Sequence, residues 1–123
     1  MTNRIIKFRV WNGEQMIYPD YIDREGYAHW SENSIPEISN KLMQFTGLLD
    51  KNGKEIYEGD ILSGEDNLDK SPMVVCWDDE NLQWVVKRVS DKDKFELWYV
   101  MEESSVKEPE VIGNIYENPE LLK

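Results

Sequence analysis

Turn chemistry interrupts this chain at short intervals, and no apolar stretch between the interruptions is long. Asn12-Gly13, Asp50-Lys51-Asn52-Gly53, Glu58-Gly59-Asp60, Asp78–Asn81 and Asp91–Lys94 each separate short apolar runs. Such residues tolerate positive φ or close a turn with a side-chain oxygen. The runs between them carry the period of a strand. From Arg4 to Trp11, Ile6, Phe8 and Val10 fall on one face and Lys7 and Arg9 on the other, the alternation of a half-buried strand. Many short strands with regular turns predict an all-β barrel or sandwich with few or short helices.

Further strands are expected at Met16–Tyr18, Lys41–Thr46, Glu55–Tyr57, Ile61-Leu62, Met73–Trp77, Leu82–Val89, Phe95–Val100 and Val111–Tyr116. Asn52-Gly53 is the strongest hairpin signal among the turns. Asp20–Asn40 reads as a loop with short ordered pieces, including a hairpin around Arg24–Tyr27. Ser63–Pro72 and Glu102–Pro109 read as polar loops. Asn118-Pro119 reads as a capped start to a final helical turn.

The length of 123 residues suits one domain with a real core. Acids exceed bases by 25 to 14, for a formal charge of -11. That balance opposes nucleic acid and anionic membranes and favours basic partners. No apolar stretch approaches the ~20 residues that a spanning helix needs. The N-terminus has no uninterrupted apolar region or cleavage site of a signal peptide. One cysteine, Cys76, excludes an intrachain disulfide and suits a reducing cytosol. The expected location is therefore the cytoplasm.

Little in the sequence carries catalytic chemistry. His29 is the only histidine, it lies in the least regular segment, and Cys76 sits in an expected strand. One histidine and one cysteine do not complete a zinc site without carboxylates or a second chain. The carboxylates Glu55, Glu58 and Asp60, and Asp78, Asp79 and Glu80, fall at hairpin turns, where acids are normally solvated. No Gly-rich phosphate loop is present. No cofactor, metal or catalytic residue is expected, and the chain reads as a non-enzyme.

The aromatics offer more. The expected strands at Gln83–Val86 and Phe95–Val100 are apolar on both faces. Such strands are either central or covered by another chain. Trp84, Trp98 and Tyr99 are the candidate partner-binding residues, because Trp and Tyr are favoured anchors. Two small basic groups, Arg4, Lys7 and Arg9, then Lys87, Arg88, Lys92 and Lys94, would form a positive patch if their faces met.

Two segments resemble a known family. Leu42–Leu62, LMQFTGLLDKNGKEIYEGDIL, and Glu110–Leu122, EVIGNIYENPELL, are similar to the signature stretches of the YopX family. IKFRVW at Ile6–Trp11, Met16-Ile17-Tyr18 and VVCWDD at Val74–Asp79 resemble it further. The resemblance implies a phage or prophage gene. It also implies a mainly β fold, an SH3-like small barrel with an additional small β subdomain. The single domain 1–123 would then have its barrel core at roughly 41–118, with the N-terminal strand and hairpin 4–40 packing on it. The resemblance implies no catalytic residues. The best-matching positions, Gly47, Gly53, Gly59, Asp60, Trp77, Gly113, Asn114, Asn118 and Pro119, look like turn and packing residues.

The functional expectation is a phage accessory protein without enzymatic activity, an interaction module that self-associates or binds a host protein. One version has the acidic surface imitate nucleic-acid phosphate and occupy a host DNA-binding protein. The alternative from another class is a nucleic-acid-binding or metal-dependent nucleic-acid-processing protein.

Overall fold

The structure, a computed structural model, describes residues 4–63, 71–103 and 109–123. The fold is mainly β and includes a curled, half-barrel sheet. The chain divides into two compact units, Met1–Phe45 and Thr46–Lys123. The expected loops at Ser63–Pro72 and Glu102–Pro109 fall largely on residues 64–70 and 104–108, outside the described residues.

In the first unit, β1 (Phe8–Trp11) pairs antiparallel with β2 (Met16–Ile17) and with the start of β6 (Leu42–Leu49). Asn12 makes the first turn, its Oδ1 accepting the Glu14 and Gln15 amides at 2.8 Å each. The stretch Asp20–Asn40, expected to be loop with a hairpin around Arg24–Tyr27, has that hairpin and extends it into a three-stranded antiparallel sheet. It contains β3 (Tyr21–Ile22), β4 (Ala28–Glu32) and β5 (Ile35–Ser39). Asp23 closes the β3–β4 turn by accepting the Glu25 and Tyr27 amides at 3.0 Å each. At the β4–β5 turn both Asn33 and Ser34 have positive φ, 52° and 66°. That is the hairpin twist usually announced by Asn-Gly, and Ser34 hid it from the sequence reading. Val10, Ala28 and Trp30 form this unit's core, with Ile17, Ile22 and Leu42 packed against them.

The remainder of β6 enters the second unit beside β7 (Glu55–Tyr57). There Thr46 Oγ1 donates to the Ile56 carbonyl at 2.8 Å. The main sheet has the order β11-β10-β9-β8-β12. It is built from β8 (Asp60–Leu62), β9 (Met73–Asp78), β10 (Gln83–Arg88), β11 (Lys94–Glu96) and β12 (Val111–Asn114), all antiparallel. The last strand thus returns to the first.

The expected strand Phe95–Val100 is corrected. It ends at Glu96, and Leu97–Glu103 is a helix, α1. Leu97, Val100 and Met101 lie at i, i+3 and i+4, the spacing of one helix face. Leu97 and Met101 join the core with Ile56, Leu62, Met73, Val75 and Val86, and Val100 packs against it. A segment apolar at nearly every position satisfies both periods, and core packing selects the helix. The final turn is a 3-10 helix at Pro119–Leu122, and Asn118 does not cap it with its side chain as expected.

Two signature stretches meet within this unit. Val111 pairs with Leu62, and Ser63 and Glu110 exchange hydrogen bonds, with Ser63 N donating to the Glu110 carbonyl at 2.9 Å and Glu110 N to Ser63 Oγ at 3.0 Å. Buried Asp50 ties them further. Its Oδ1 accepts the Asn52 and Lys54 amides at 2.9 Å each, closing the Asn52-Gly53 turn. Its Oδ2 accepts the Val111 amide at 3.0 Å, fixing the start of β12. Burial alone would raise this carboxyl's pKa. The Val111, Lys54 and Asn52 amides outweigh that and hold it below the usual range.

Candidate functional site

An open groove of about 550 Å³ lies along the β10–β11 part of the second unit, beside α1. Pairing in the sheet explains its floor. Val85 lies opposite Cys76 and Glu96, while the adjacent residue Val86 lies opposite Val75 and Phe95. Adjacent residues project to opposite faces of a strand. Val86 therefore enters the core and Val85 the groove, where it is only 3% exposed. Here β10 is internal to the sheet and buried on both sides, the central-strand outcome for a run apolar on both faces.

Gln83, Asn81 and Tyr99 share the lining with Val85, and Phe95, paired with Val86, reaches it from the core side. The charged lining is unbalanced, three carboxylates (Asp78, Glu80 and Glu96) against one ammonium (Lys94). Asp78 is held in place by its own turn. Its Oδ2 accepts Asn81 Nδ2 at 2.9 Å and its Oδ1 accepts the Glu80 amide at 3.1 Å. The Asn81 bond, helped by neighbouring backbone amides, keeps this carboxyl below the usual range against partial desolvation. Cys76 lies half-buried on the same face as Val85, and burial pushes its thiol up.

The three candidate partner-binding residues separate. Trp84 packs against the core and meets Trp77 edge-on, with centroids 5.0 Å apart. Trp98 and Tyr99 project from α1 and are 49% and 52% exposed, their rings edge-on at 5.9 Å. Tyr99 lines the groove and Trp98 extends its aromatic rim. The sequence reading did not select Val85, Phe95 or Glu96. Only the helical turn after Glu96, which the alternation concealed, brings Tyr99 beside them.

The other candidates have structural partners. Asp60, grouped with the solvated turn acids but also among the turn and packing residues, is the latter: it is 2% exposed, and its Oδ2 accepts the Tyr57 amide at 2.7 Å. Gly59 precedes it at φ 87°, a left-handed turn that disfavours side chains. Asn114 Oδ1 accepts the Tyr116 and Glu117 amides at 3.0 and 2.9 Å, while Asn118 Oδ1 accepts the Asn114 amide at 3.1 Å. In the first unit, His29 Nε2 meets Asp23 Oδ2 at 2.8 Å, and Tyr21 stacks on the imidazole at 4.5 Å. Among the described residues, no three His, Cys, Asp or Glu side chains gather as metal ligands. The two basic groups fall in different units, Arg4, Lys7 and Arg9 in the first and Lys87–Lys94 in the second. Arg88 is bound by Asp91, with contacts of 2.7 to 3.1 Å, and lies over Phe95.

Two solved structures are similar over nearly the whole chain. Protein EF1440 from Enterococcus faecalis has a TM-score of 0.63 and 26% identity, covering 98% of this chain and 100% of that one. Protein yopX from Bacillus subtilis has a TM-score of 0.61 and 26% identity, covering 95% of this chain and 98% of that one. No curated protein sequence matches. The family model described as YopX protein matches residues 7–123. With that match across nearly its full length, the chain belongs to the YopX family.

Proposed function

We propose that this chain is a non-enzymatic interaction module of a phage or prophage, acting in the bacterial cytoplasm, with its contact face at the groove of the second unit. The observation that carries this reading is the half exposure of the neighbouring rings of Trp98 and Tyr99, Tyr99 lining the groove. Large aromatic rings left in water retain hydrophobic free energy, at about 25 cal/mol per Å², that a partner can recover. The groove volume falls within the ~300–1,000 Å³ range of small-molecule pockets, room enough for a long side chain. The lone thiol Cys76 fits a reducing compartment. An SH3-like barrel is our reading of the second unit, supported by five antiparallel strands whose last returns to the first.

Cross-linking in host lysate, followed by mass spectrometry, tests the reading with the intact chain and a Trp98→Ala/Tyr99→Ala variant. A protein captured by the intact chain and lost from the variant, with an unchanged melting temperature, is the expected result. Capture indifferent to both substitutions, or no captured protein, contradicts the contact face.

A further inference from the structure

The formal charge is divided very unevenly between the two units. Met1–Phe45 carries six acids and five bases, a charge of -1. Thr46–Lys123 carries nineteen acids and nine bases, a charge of -10. The groove belongs entirely to the second unit, and its lining repeats that imbalance. Two copies meeting groove to groove would bring together like-charged units, which costs affinity and slows encounter. A cationic occupant meets the opposite condition.

We infer that the groove takes an extended, arginine-bearing segment of another protein, not a second copy of this chain. This rests on the reading of the groove as a docking face and names its occupant. The chemistry of the lining fits one residue type at both ends. An arginine side chain has an apolar stem and a charged head. Its stem would cross the lining beside Val85, with the guanidinium over the exposed Tyr99 ring or beside Glu96 and Asp78. A planar guanidinium stacks on an aromatic face and pairs with a carboxylate in one pose, which an ammonium does less well. Asp78 is already oriented by Asn81 and the Glu80 amide, so little side-chain freedom is lost when a cation arrives. Lys94, on the same lining, keeps the site from being a uniform acid patch. It places the cation's position toward Asp78, Glu80 and Glu96.

Fluorescence anisotropy tests this with the full chain and labelled eight-residue peptides, each about 27 Å long when extended. The probes alternate alanine with arginine, with glutamate or with glutamine, and each is titrated at low and high salt. The arginine peptide is expected to bind, more weakly as salt rises. Tyr99→Ala and Glu96→Gln should each weaken it about threefold to tenfold. Glu120→Gln, which removes a charge away from the groove, should leave it within about twofold. A loss in Glu120→Gln equal to that in Glu96→Gln overturns the inference, since the attraction is then general charge. Absence of binding by the arginine peptide overturns it too. Tyr99-dependent binding of the glutamate or glutamine peptide overturns the cationic occupant while leaving the docking face intact. Concentration-dependent dimerisation abolished by Tyr99→Ala overturns it in favour of a second copy.

Discussion

Within the second unit, the belt formed by residues 46–62 and Glu110–Leu122 contrasts with the groove formed by Asp78–Tyr99. The belt's polar residues point inward and are consumed. Asp50, Asp60 and Asn114 are buried and accept backbone amides. The groove's polar residues point outward, and its aromatics at Trp98 and Tyr99 remain half in water. Carboxylates thus do opposite things according to whether they are buried, as Asp50 and Asp60 are, or line an open groove, as Asp78 and Glu96 do. The contrast teaches that the segments by which this chain resembles its family build the scaffold. The contact face we propose is built mostly from a stretch without such a signature.

The contrast is broken most forcefully at Asp50. Asp50→Ala leaves three amides without their acceptor. Because hydrogen bonds to a charged group are worth about 1.5–3 kcal/mol and do not add fully, the expected loss is about 3 kcal/mol in urea denaturation. Gly113→Ala comes next. A Cβ there would lie 2.6 Å from Asn118 Cγ and 2.9 Å from its Cβ. It would push away the side chain that accepts the Asn114 amide. The expected loss is about 1–3 kcal/mol, read as a lower thermal midpoint.

Acid sharpens the same comparison. The carboxyl of Asp50 lies below its ordinary value of 3.8 in the folded chain. Its contribution is therefore fully present above the unfolded value and is lost as pH falls through the folded one. Asp50→Asn should flatten the fall in stability below about pH 4, and an acid titration that is superimposable for both proteins contradicts the assignment. Smallest in stability, and confined to the groove, are Tyr99→Ala and Trp98→Ala. Each should change unfolding free energy by less than about 0.5 kcal/mol, as exposed positions do. A loss comparable to Asp50→Ala would reassign these rings to the scaffold.

The belt was the legible part of the sequence. Asn52-Gly53, Gly59-Asp60 and Asn114 are local devices, in which a few neighbouring residues determine a turn, and local chemistry can be read in order along the chain. The groove was less legible because it depends on where a strand stops. Phe95 through Val100 fit alternation and helical spacing alike, and only burial of Leu97 and Met101 in the distant core chooses between them. Tyr99 and Trp98 were singled out as contact residues on a strand, yet they occupy a helix. Trp84, chosen on the same grounds, packs on the core because β10 is internal to its sheet. The hairpin at Asn33-Ser34 was missed because serine rarely announces positive φ.

The most direct measurement is a backbone amide NMR map of the isotopically labelled chain, titrated with the alternating arginine peptide. Shift changes confined to Asp78–Gln83 and Lys94–Tyr99, with Asp50, Gly59, Asp60 and Asn114–Asn118 unmoved, are the expected result. Changes spread across the acidic surface, or centred on the belt, would contradict the division between scaffold and contact face.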